Sequence, residues 1–273
     1  MTHEPHTHRD YATLSAALEV ALMLEASPVG VRIIHSAAEV SASSRLRPAD
    51  PLSYCGAVSR AGRGESLLLD TAAIACDTSP RVLGLEPGFH DDDFIQSYVT
   101  CGLYRDRETA DRMLADVPVL DGTLAILVRP LAEFTAAQPP HIVIVAVSPH
   151  GVMRLTQAAA YSGRRLRSDN IGMHGICAEC TALPLVTGEA CASMLCSAAR
   201  SEGGWDMHHL GVGIPIDVLG EVVDGLLDSM RRYETDARKV EISRTCARRA
   251  PLAPGLADRV SGAARSGSYF ERG

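Results

Sequence analysis

Apolar positions recur along this chain with two periods, and they divide it into alternating helical and extended segments. From Tyr11 to Ala26, residues Leu14, Leu18, Ala21, Leu22 and Leu24 favour one side of a helix that Pro28 ends. Val29–Ile34 and Ser66–Asp70 then read as strands, separated by a short helix from Leu52 to Ala61 that carries Cys55 in its first turn. The run His90-Asp-Asp-Asp93 reads as a helix start, because aspartates satisfy free N–H groups and suit the helix dipole. The pattern continues helical through Thr100 and again from Arg107 to Ala115. Leu124–Val128 and Ile142–Val147 are near-continuous apolar runs, the signature of central strands covered on both faces. Ser148-Pro149 opens a helix to about Tyr161, with serine at the cap and proline in the first helical position. A short segment around Ile171 precedes Cys177-Ala-Glu-Cys180. Ala190–Leu195 and His209–Ile214 complete the strands, and Pro215 opens a helix through Met230.

This alternation predicts an α/β fold, or α+β with a mixed sheet, in one compact domain of residues 28–232 after an N-terminal helix in 1–27. A loose recurrence of helix, Gly-Arg turn, Asp, Cys and Pro-bearing turn in 54–85 and 155–186 divides that domain into related halves, about 28–120 and 121–232. Beyond Tyr233 the composition turns to Arg, Gly, Ser and Pro, so residues 233–273 are expected to form a loosely attached tail.

Composition narrows the function. The 273 residues are 46% hydrophobic and 22% charged, enough for a packed core, and aromatics make up only 4%, so Ala, Val, Leu and Ile must build it. The net charge of −7 argues against a nucleic-acid surface. Lys239 is the single lysine, an arginine bias that fits a GC-rich bacterial genome. No stretch reaches the ~20 apolar residues of a spanning helix, and the N-terminus MTHEPHTHRDY lacks the order of a secretory signal, so the expected location is cytoplasmic, without membrane contact.

In a reducing compartment, eight cysteines point towards metal or redox chemistry. Two arrangements fit their spacing. Cys177-x-x-Cys180 with Cys191 and Cys196 makes a compact zinc-ribbon-like set, although the interval between the pairs is short for one. Alternatively Cys55, Cys76, Cys177 and Cys196, each at a predicted element boundary, converge from both halves. Cys101 reads as a small core residue. The bland alternative buries all eight as apolar residues, and a redox dithiol at Cys177 and Cys180 lacks the aromatic-ended strand it needs.

The segments Pro28-Val-Gly-Val31, Cys55-Gly-Ala-Val-Ser-Arg-Ala61, Cys76 with Leu83-Gly-Leu85, Ile142–Pro149, Met153–Tyr161, Gly175-Ile-Cys177 and Leu210–Pro215 resemble, in order and spacing, the bacterial and archaeal domain of unknown function 169 family. The resemblance spans roughly residues 28–227. It implies a cysteine-bearing α/β protein whose matching cysteines are Cys55, Cys76, Cys177 and Cys196, with Cys180, Cys191 and the Arg-rich tail particular to this chain.

The expectation is therefore an iron–sulfur protein with a [4Fe–4S] cluster on Cys55, Cys76, Cys177 and Cys196, with Cys180 as the substitute ligand. It would be a lyase or oxidoreductase acting on a small metabolite in specialised or sulfur metabolism, possible also as a homo-oligomer. The alternative is a non-enzymatic zinc protein. His174 is a candidate proton shuttle, and Arg154, Gln157 and Tyr161 lie near one helix face as candidate contacts to a polar ligand. Structural roles compete for each, as for His150, Asp206, His208 and His209. No phosphate loop, nucleophile elbow or zinc-protease motif occurs, and Gly211-Val-Gly213 reads as strand.

Overall fold

A computed structural model of the protein describes residues 10–169, 172–249 and 255–264. The expected segment at Ile171, and parts of both termini, lie outside these residues. The order of elements is α1 (Tyr11–Leu22), β1 (Val29–Ile34), α2 (Ala37–Ala42), α3 (Tyr54–Gly62), β2 (Leu67–Leu69), α4 (Ser79–Val82), α5 (Asp92–Thr100), α6 (Arg107–Ala115), β3 (Ala125–Pro130), β4 (Ile142–Val147), α7 (Pro149–Tyr161), a π-helix (Gly175–Ala182), α8 (Leu183–Thr187), β5 (Cys191–Ser193), α9 (Ser197–Ser201), β6 (Leu210–Pro215), α10 (Ile216–Tyr233), α11 (Asp236–Arg249) and α12 (Leu256–Ala264).

The capping residues read from the sequence hold. Asp91 accepts from the N–H groups of Asp93 and Phe94, and Ser148 accepts from that of Gly151. Ser53 caps α3 through Gly56 N–H, which sets Cys55 in the first turn.

The six strands form one open sheet in the order β2-β3-β1-β4-β6-β5, and every named pair is antiparallel. Parallel contacts occur only as isolated bridges, Leu52 with Ile74 and Arg167 with Cys191. The order interleaves the expected halves, because β3 lies between β1 and β2.

Helices cover both faces of this antiparallel sheet, and that explains strands that are apolar at nearly every position. In β4, Ile142 and Ile144 join the core of one face, while Val143, Val145 and Val147 join that of the other. The first face carries α3 to α6 and the π-helix, and hence Cys55, Cys76, Cys177, Cys180 and Cys196. The second carries α1, α7 and α10. The tail differs from expectation: Ile242, Cys246, Leu256 and Val260 of α11 and α12 are buried in the second core. An Arg-rich composition concealed one apolar stripe on each helix, and these stripes suffice to dock them.

Candidate thiol site

The site assembles from four segments on the first face. Cys55 sits in the first turn of α3, buried, and its carbonyl accepts the indole N–H of Trp205 at 3.0 Å. Cys76 lies half-buried just before α4 and accepts a hydrogen bond from the Ser79 hydroxyl at 3.5 Å. Cys177 is buried in the π-helix, and Cys196, half-buried, is the N-cap of α9.

These four thiols share one electrostatic neighbourhood. Cys55 donates its S–H to the Cys196 sulfur, which raises its own pKa, as do burial and the neighbouring Cys177, Cys196 and Cys76. Cys177 is pushed up by burial and then by Cys76, while the Ser79 hydroxyl opposes the shift. Cys196 moves the other way, down to about 6, first because of the Cys55 hydrogen bond and then because the N–H groups of Gly175, Ala199 and Ala198 point at it. Its sulfur is therefore a thiolate at neutral pH, set beside a thiol that donates to it.

Two glycines make this packing possible. A Cβ on Gly213 of β6 would lie 2.0 Å from the Cys180 carbonyl oxygen, so only glycine lets the π-helix rest on the strand. A Cβ on Gly175 would meet the Leu195 Cα at 2.7 Å and the Cys196 nitrogen at 3.0 Å, so its absence brings the π-helix against the Cys196 turn. The π-helix is buried throughout and tied to α3 by the Tyr54 hydroxyl, 3.0 Å from Thr181 Oγ1. Such i→i+5 turns are rare and are frequently found at functional sites.

The compact set Cys177, Cys180, Cys191 and Cys196 is not gathered in this way. Cys180 lies nearest Glu179, Cys191 and Ser193 and senses Cys177 more weakly, and Cys191 sits in β5 among Arg167, Thr187, Asp169 and Glu189. Cys246 lies in the second core, across the sheet. Cys101 is exposed at the C-cap of α5, not in the core, because the helix ends there at the surface.

His174 belongs to the thiol layer. Its ring stacks on Phe89 at 5.8 Å and meets Tyr98 edge-on at 6.0 Å, and Tyr98 senses both Cys177 and Cys76. It is buried, its Nε2 has no hydrogen-bond partner, and burial holds its pKa down to about 4, so the ring is neutral. Arg154 and Tyr161 do not belong here. Both lie on α7, which packs against α10 over the other face of the sheet. Arg154 is buried and donates to Glu234 at 2.8 Å, to Gln157 at 2.7 Å and to the Leu226 carbonyl at 3.2 Å, so its charge serves the packing of α7 on α10. Tyr161 is 60% exposed. His150 also reaches Glu234, and His209 lies 3.7 Å from Glu25.

Sequence reasoning does not single out Ser79 or Trp205. Ser79 follows Cys76 by three residues and Trp205 is the single tryptophan, but neither signal names a partner so distant in the chain.

Among the described residues, no three His, Cys, Asp or Glu side chains surround one point as ligands of a single metal ion. Four sulfurs around one zinc at about 2.3 Å would lie roughly 3.8 Å apart. Cys55, Cys76, Cys177 and Cys196 carry sulfur, a donor that metals take, but they do not surround one ion here. Holding a metal centre requires side chains to turn towards a common point, or a centre larger than a single ion. Beside the π-helix, Asp116, Arg167, Ala178 and Glu179 border a cavity of about 590 Å³. Among the described residues, no helix is long and apolar enough to cross a membrane.

A family model described as uncharacterised ArCR, domain of unknown function 169, matches residues 17–225. No curated protein and no solved structure matches the chain.

Proposed function

This chain belongs to the domain of unknown function 169 family, and we propose that it binds a [4Fe–4S] cluster through Cys55, Cys76, Cys177 and Cys196 and uses it in an enzymatic reaction on a small metabolite. The observation that carries this reading is the meeting of four thiols from α3, the turn before α4, the π-helix and the cap of α9 in one electrostatic neighbourhood. Two further features support it. Cys55 and Cys177 are buried while Cys76 and Cys196 are partly exposed, a mix that suits a largely enclosed centre. Its sulfurs also receive hydrogen bonds from Ser79 and from backbone N–H groups, which stabilise thiolate ligands and tune a centre's potential.

Held by all four cysteines, the cluster would supply or accept an electron; an iron open to act as a Lewis acid would require that only three of them ligate it. The chain's own part is to exclude water with the Phe89–Tyr98 cluster and to offer His174, neutral and unpartnered at Nε2, as a proton donor or acceptor at that atom.

Anaerobic purification tests the reading. The protein should be brown, with about four iron and four sulfide per chain. Serine replacement of any one of the four cysteines should lower or abolish both, while Cys101, Cys191 and Cys246 variants keep them. A colourless protein holding zinc, with loss of metal on Cys180→Ser and Cys191→Ser but not on Cys55→Ser or Cys76→Ser, sinks the proposal.

A further inference from the structure

A second cavity, of about 240 Å³, lies along α3, bordered by Val58, Ser59, Gly62 and Arg63. Its floor is apolar: Val29 of β1, Ile144 and Ala146 of β4, and Val58 of α3. Its wall is Trp205, 7% exposed, whose indole N–H is anchored on the Cys55 carbonyl at 3.0 Å. Charge sits only at the mouth. Glu25 and Asp206 bring carboxylates there, and Arg63, at the end of α3, brings a guanidinium whose Nη1 donates to Ser59 at 2.8 Å. His209 stands 3.7 Å from Glu25 and completes the rim. An apolar floor with a few polar groups converging on one opening is the ordinary anatomy of a small-molecule site, and this volume is below the roughly 300–1,000 Å³ of drug-sized pockets.

We infer that this cavity binds a small zwitterion with an aliphatic arm, the chemistry of an apolar α-amino acid, with its ammonium group on Glu25 and Asp206, its carboxylate on Arg63 and its arm on the Val29–Ile144 floor. Two carboxylates on the rim suit a cation, and the guanidinium on the same rim gives an accompanying anion its place. A plain hydrocarbon would leave the rim unused, and a dianion would meet two like charges. The inference rests on the cavity and its rim, and holds whether or not the four thiols carry a metal.

The single tryptophan reports occupancy directly. With full-length protein as purified, leucine should shift Trp205 emission saturably. Two molecules with the same arm, 3-methylbutylamine and 4-methylpentanoate, should bind at least about tenfold more weakly, since the first lacks the contact to Arg63 and the second those to Glu25 and Asp206, each charge-assisted contact being worth about 1.5–3 kcal/mol. Arg63→Gln and Asp206→Asn, both at the exposed mouth, should each weaken leucine about tenfold and leave far-UV circular dichroism unchanged. Calorimetry run in parallel captures binding that leaves the emission unmoved. No saturable leucine signal in either measurement, equal binding of the amine alone, or leucine binding indifferent to Arg63→Gln would each overturn the assignment.

Discussion

Cys196 shows how much of a side chain's chemistry is set by its neighbours. An isolated cysteine titrates near 8.5, so at neutral pH few of its molecules are thiolates. Here the S–H of Cys55 and three backbone N–H groups favour the anion and bring it down to about 6, against the effect of burial. In metal-free protein, the alkylation rate of Cys196 by iodoacetamide should therefore rise as pH passes through about 6 and level off above it. Cys55→Ala removes the first of those donors and should move the inflection upward. Mass mapping of the labelled peptide checks both outcomes, and an inflection left near 6 in the variant would show that Cys55 is not the donor that matters.

Helix α7 and the π-helix illustrate opposite uses of buried polar groups. On α7, Arg154 and Glu234, each about 1% exposed, hold one another across to the end of α10, and Arg238 reaches the same carboxylate at 3.1 Å. Arg154→Ala would leave the Glu234 carboxylate buried without its main partner. The expected loss is about 3–5 kcal/mol, measured by urea unfolding. Metal content per folded molecule should be unchanged, because the pair lies across the sheet from the thiols. The π-helix depends instead on small residues beneath it. Gly213→Ala places a methyl group where the Cys180 carbonyl stands, so the π-helix must lift. That change should cost about 1–3 kcal/mol and, unlike Arg154→Ala, should also disturb the environment of Cys177. The contrast between the two variants separates stability from site geometry.

Across the whole protein, the sheet divides labour between its faces. One face holds the thiols, the aromatic cluster and the zwitterion cavity, and the other is given to α1, α7 and the C-terminal helices. Those helices are part of the support. Removal of residues 250–273 takes away Leu256 and Val260, both buried, together with the Arg259 contacts to Asp224 at 2.9 Å and to Asp228 at 2.6 Å. Burying two such aliphatic side chains is worth about 1.5–3 kcal/mol each. The truncated protein should therefore unfold at least about 2 kcal/mol more easily in denaturant, and an unchanged midpoint would mean that α12 does not dock.

Local signals in the chain carried most elements. Ser148-Pro149 marked the start of α7, the aspartate run marked α5, and the apolar runs at 29–34 and 142–147 coincide with β1 and β4. Caps and periodicity act over a few residues, and that is why they can be read directly. The four cysteines are legible as a candidate set because each falls at a predicted break between elements, with Cys180 as a substitute and the compact set of Cys177, Cys180, Cys191 and Cys196 as the alternative. Their surroundings are decided by packing: the turn of the π-helix sets Cys177 near Cys76 and Cys196, and Cys180 against β5 and β6. Sheet order and antiparallel pairing were likewise hidden. An apolar strand covered on both faces has the same composition whichever direction its neighbours run. The docked tail escaped notice because its few apolar residues gain meaning only from the surface that receives them, and Arg154 looked available because sequence cannot say which face of a helix another helix will cover. Tertiary contacts decided these points because each depends on residues brought together from distant parts of the chain.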